Sequence, residues 1–114
     1  MIVKIFLLTA LFSCCFSRNV QADILDSTVV YEKARSVYKA MEDLSDTDLD
    51  EMVVHFGTPQ EKPAVENPGK PGGKLRVADF EVFNPAYRTY ARVRILVDPE
   101  SGSPMGAEYL YLGK

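Results

Sequence analysis

Arg88, Tyr90, Arg92 and Arg94 stand at alternate positions in residues 87–97, and Ala91, Val93, Ile95 and Val97 fill the positions between. A period of two places successive side chains on opposite faces of a strand, so this stretch predicts a strand with an apolar face and a cationic, aromatic face. Guanidinium groups offer fixed forks of N–H donors that match carboxylates, which makes Arg88, Tyr90, Arg92 and Arg94 a candidate surface for binding protein or another anionic partner. The same residues have a purely structural use. Glu81 and Glu108 fall on the neighbouring predicted strands, where cross-strand pairs contribute about 0.2–1 kcal/mol each without any ligand.

Other polar clusters fit local structure better than they fit chemistry. Asp46, Asp48 and Asp50 have the alternate spacing that opens a calcium loop. The glycine and closing glutamate such a loop needs are replaced by Glu51 and Gly57, however, so the acids read as helix-start electrostatics. His55 is the sole histidine, and Ser101 and Ser103 sit in turn sequence with no nucleophile-elbow setting, so no catalytic residue is assigned. The glycines at 69, 72 and 73 have no preceding strand and no following lysine-serine or lysine-threonine, which excludes a phosphate-binding loop. The expectation is no enzyme activity, no metal and no small-molecule cofactor.

The elements that position the cationic strip follow from periodicity. Val30, Ala34, Val37, Met41 and Leu44 repeat at helical spacing after Ser27 or Thr28, the candidate caps. Leu49, Met52, Val53 and Phe56 form a second stripe, with Asp46 to Asp48 at its start and Gly57 and Pro59 as its stop. Residues 61–74 combine Pro63, Pro68, Gly69, Pro71, Gly72 and Gly73 and predict a mobile loop. Three strands follow, in residues 75–83, 87–97 and 105–112, joined through Asn84-Pro85 and through Asp98-Pro99-Glu100-Ser101-Gly102. The expected fold is α+β, two N-terminal helices packed on one face of a three-stranded antiparallel β-meander.

Residues 1–22 read as an export signal: Lys4, an apolar run over 5–12, and Val20-Gln21-Ala22 before a cleavage point. Residues 23–114 would then form a single domain. An alternative lies in Leu11-Phe12-Ser13-Cys14, which resembles a bacterial lipobox and would make Cys14 a lipid anchor. Both cysteines, Cys14 and Cys15, fall in this segment, so cleavage after Ala22 leaves no disulfide. It also removes Lys4 and Arg18 and no acid, taking the formal charge from −3 to −5, which disfavours nucleic acid as a partner.

The order of elements, and residues 47–59 with their Phe56-Gly57-Thr58-Pro59 ending, resemble the SmpA/OmlA (BamE-like) family and, more broadly, the fold of β-lactamase inhibitor proteins. The resemblance implies a signal, two helices and a three-stranded sheet. It also implies a periplasmic or secreted, non-enzymatic scaffold of the cell envelope that binds an envelope protein, or, with Cys14 lipidated, an outer-membrane lipoprotein. A second expectation is a secreted enzyme inhibitor that inserts the 61–74 loop into a cleft.

Overall fold

The computed structural model describes residues 24–114. The expected export signal and Cys14 lie outside them. Helix α1 (Thr28–Glu42) and helix α2 (Asp46–Glu51) precede five strands, β1 (His55–Phe56), β2 (Gln60–Glu66), β3 (Lys74–Asn84), β4 (Thr89–Val97) and β5 (Pro104–Gly113). Every pairing is antiparallel. Strand β3 carries β1 and β2 along one side and β4 on the other, and β5 closes the far edge.

Ser27 starts α1 by accepting a hydrogen bond from the Val30 amide, and Asp43 ends it in the left-handed region, its amide bonded to the Lys39 carbonyl. Val30, Ala34 and Tyr38 are buried against Ala78, Phe80 and Val82 of β3 and Ala91, Val93, Ile95 and Val97 of β4. Burying a side chain of this class fully contributes about 1.5–3 kcal/mol, so this layer supplies most of the hydrophobic drive. Helix α2 has a capping box, in which Ser45 and Asp48 exchange side chain to backbone hydrogen bonds at 3.1 and 2.9 Å.

The expected three-stranded meander roofed by two helices is corrected: among the described residues the sheet has five strands, and α1 is the helix that covers it. Helix α2 contributes Leu49 alone to the buried core. Its stripe was expected to run on to Phe56. Instead the helix ends at Glu51, and Val53 takes a positive φ of 55°, which turns the chain into β1. Phe56 still reaches the core, as a strand residue packed edge-on against Tyr31 and Tyr38. Gly57, expected as a left-handed helix stop, lies against β3 and donates its amide to the Glu81 carbonyl at 2.8 Å.

The second correction concerns residues 61–74, expected as a mobile loop. Residues up to Glu66 are strand β2, in register with β3 from Gln60 opposite Asp79 to Glu66 opposite Lys74, with an irregularity between Lys62 and Val65 around Pro63. What remains is a turn over residues 67–73, closed by Asn67 N–H to Gly73 O at 3.0 Å and Gly73 N–H to Lys70 O at 2.9 Å. Pro63 is tolerated because β2 is an edge strand, where one face of the backbone needs no partner.

Asn84 ties the end of β3 to both helical segments. Its side-chain oxygen accepts from the Ala86 and Tyr87 amides, and its nitrogen approaches the Tyr38 hydroxyl and the Met52 sulfur.

Candidate functional site

Since Ala78, Phe80 and Val82 point at α1, the alternate residues Val77, Asp79, Glu81 and Phe83 of β3 lie on the outer face. Strand β4 adds Tyr90, Arg92, Arg94 and Leu96 to that face, and β5 adds Glu108 and Leu110. The sheet thus has an apolar side under α1 and an outer side with no helix on it among the described residues.

The four residues of the cationic strip separate into three situations. Arg92 and Arg94 stay together, with Asp79 between them: the Arg94 Nε donates to Asp79 Oδ2 at 3.2 Å, and the Arg92 Nε lies 3.4 Å from Oδ1. The Asp79 side chain is 4% exposed, while those of Arg92 and Arg94 are 36% and 41% exposed. Tyr90 is exposed and lies against Phe83, ring centroids 4.8 Å apart. Arg88 leaves the strip. It sits in the turn before β4 with φ of 56°, because the β3–β4 connection takes residues 85–88 and β4 begins only at Thr89.

Asp79 is the residue that the sequence did not single out. The alternation puts Asp79 and Glu81 on one face, and the β3–β4 register sets Asp79 opposite Arg94 and Glu81 opposite Arg92. Burial separates them: Asp79 lies beneath both arginines, with Gln60 of β2 opposite, and Glu81 is exposed. A buried carboxylate held by two guanidiniums costs desolvation, which charge-assisted contacts offset only with good geometry. Its net effect is to fix the two arginine side chains in place.

Beside this triad a hollow of about 270 Å³ is lined by Arg92, Arg94, Glu108, Tyr109 and Leu110, and a smaller one of about 50 Å³ lies between Gln60, Lys62, Asp79, Glu81 and Arg92. The larger one offers two cations, one acid and an apolar wall. That is a surface for a side chain or a short segment of another protein.

A third hollow, of about 380 Å³, runs between the start of α1 and β1, where Tyr31, Phe56, Pro59 and Phe80 give it an apolar floor. His55, Ser27 and Asp26 lie on its rim. The Ser27 Oγ already accepts from the Val30 amide as the cap of α1, and no hydrogen bond joins it to His55 among the described residues. No group of three or more metal-ligating side chains occurs among the described residues, where the Asp46 carboxylate pairs with Arg35 at 3.2 Å and Lys39 at 2.9 Å. Those two cations, Lys39 first, hold the Asp46 carboxyl below the usual range.

No protein-family model, no curated protein and no solved structure matches the chain. Among the described residues, no helix is long and apolar enough to cross a membrane.

Proposed function

We propose that the chain is a non-enzymatic protein-binding domain of the bacterial cell envelope, and that it meets its partner through the outer face of the sheet around Arg92 and Arg94. The observation that carries this reading is the buried Asp79 carboxylate. It holds two half-exposed guanidiniums side by side next to Leu110, 56% exposed, and the 270 Å³ hollow. Fixing arginines before contact lowers the ordering cost of binding, and arginine beside apolar surface is the usual composition of an interface centre. The matching partner surface presents a carboxylate next to an apolar side chain. Tyr90 extends the same face, whereas Arg88 lies at its end.

The envelope location rests on the export-signal reading of residues 1–22 and on the SmpA/OmlA-like stretch 47–59. The inhibitor reading required a long loop to enter a cleft, and the hydrogen-bonded turn over residues 67–73 gives it no support.

The test is recovery of envelope proteins on immobilised chain, compared between wild type and Arg92→Ala/Arg94→Ala. Selective loss of a recovered protein, with the circular dichroism spectrum kept, is the expected result. Identical recovery removes the outer face from consideration.

A further inference from the structure

Strand β5 hydrogen-bonds to β4 along one side, and its other side carries no strand among the described residues. Between Pro104 and Gly113 the single charge is Glu108. Leu110 on the outer side and Tyr111 on the α1 side are 56% and 51% exposed, and Met105 and Leu112 are exposed as well. A long edge with apolar side chains on both faces is a template for another strand.

Helix α1 adds a second layer at the same edge. It crosses the sheet from Phe56 and Phe80, which touch Tyr31, to β5, where the Tyr109 hydroxyl donates to Glu42. Met41, in the last turn, continues the sheet-facing row of Val30, Ala34 and Val37, yet it is 59% exposed. The row of buried positions outlasts the sheet that should cover it.

A second copy of this chain offers two edges to fill that place. Its β2 is unsuited, because Pro63 has no N–H to donate and Glu61, Lys62 and Glu66 line the strand. Its β5 is suited, and pairing like with like closes as a two-fold dimer, where head-to-tail pairing would grow without end. The registers that overlap most of β5 are centred on Glu108 and on Tyr109, and charge selects between them. An antiparallel pair centred on Glu108 sets the two carboxylates directly opposite each other, which is unfavourable. Centred on Tyr109, each Glu108 faces Leu110 of the other copy and keeps its own Arg94 as neighbour, and Ala107 faces Tyr111.

We infer that the chain forms a two-fold dimer by antiparallel pairing of β5 with β5 of a second copy, centred on Tyr109, with the two Met41 side chains meeting above the joined edge. The two sheets become one, and both outer faces point the same way.

Sedimentation equilibrium of the full chain, from about 1 to 500 μM, tests this. The expected result is a concentration-dependent mass reaching about twice 12.7 kDa. Leu110→Glu sets each new carboxylate opposite Glu108 of the other copy and weakens association at least about tenfold, and Val65→Lys on β2 leaves it unchanged. Where this variant loses its circular dichroism spectrum, Met41→Lys, an exposed position on α1, takes its place with the same expected loss. A monomer at every concentration overturns the inference. So does a dimer that survives these substitutions, or one equally weakened by Val65→Lys.

Discussion

The two edges of this sheet are built on opposite plans. Along one side of β3 the edge is cut in two: β1 is two residues long, the strand is interrupted over Gly57, Thr58 and Pro59, and β2 resumes with a proline and three charged residues. Arg76 of β3 grips Glu61 with two hydrogen bonds of 2.8 Å. Along the other side, β5 runs ten residues with a single charge and apolar residues on both faces. Among the described residues the same sheet therefore shows both a guarded border and an uncovered one. Guarding is done by short strands, proline and charge, the devices that oppose edge-to-edge association. In β5 they are reduced to Pro104 at its first residue and the single charge of Glu108, which points to a border meant to be occupied.

The largest effect is expected where the guarded edge lies close against the β3 backbone, at Gly57. A Cβ at Gly57 would lie 3.2 Å from the Glu81 carbonyl oxygen, a backbone atom of a central strand that has little room to yield. Gly57→Val should therefore cost about 1–3 kcal/mol of unfolding free energy in urea titration. An unchanged midpoint would show that the step at residues 57–59 is free to shift and is not a fixed break in the edge.

At the uncovered edge, Tyr109→Phe removes the hydroxyl that donates to Glu42 and should cost about 1 kcal/mol. Burial, reinforced by Glu42, raises the Tyr109 pKa above the usual tyrosine value. A raised folded-state pKa stabilises fully below the unfolded value of about 10 and loses that contribution as pH rises through the folded one. Wild type should lose stability above about pH 10 and Tyr109→Phe should lose less of it, as followed by thermal unfolding across pH 9–12.

The guarded edge has the opposite sign. Hydrogen bonds from Arg76 hold the Glu61 carboxyl below its usual range. A depressed pKa gives stability present above the unfolded value of about 4.3 and lost as pH falls through the folded one. Glu61→Gln should flatten the acid limb between about pH 5 and 3, by well under 1 kcal/mol because the pair is partly solvated. If acid and alkali weakened wild type and both variants alike, the two edges would not be held by separate contacts.

The smallest effect on stability, within about 0.5 kcal/mol, is expected for Pro63→Thr, since the substitution touches an exposed edge position. Its consequence is association. Restoring an N–H to β2 should raise light scattering at high concentration relative to wild type, and unchanged scattering would mean that the charges alone guard that edge.

This contrast also explains what the sequence revealed. Strand β4 was legible because its face toward α1 is apolar at every second residue from Ala91 to Val97 and its other face is polar or half-exposed. Helix α1 was legible because Val30 and Ala34 of its stripe are buried and Val37 and Leu44 pack partly against the core, although Tyr38, outside that stripe, takes the third buried place and Met41 is exposed. Strand β2 was not, because the proline and charges that protect an edge are the same signals that mark a loop. The end of α2 misled for a different reason. Leu49 and Phe56 do reach one core, but Phe56 arrives after the backbone has changed direction at Val53, and spacing along a sequence does not register such a change. At the candidate site, the alternation placed Arg92 and Arg94 on one face, while Asp79 needed the third dimension, since burial alone distinguishes it from Glu81.

Asn84 has a consequence for the lifetime of the protein. Asparagine decays when the following backbone nitrogen attacks its side-chain carbonyl and closes a ring, expelling ammonia. Here that nitrogen belongs to Pro85, which has no hydrogen to give up. The amide that fastens the β3–β4 turn to Tyr38 and Met52 is thus protected against the ordinary chemical ageing of its own residue type.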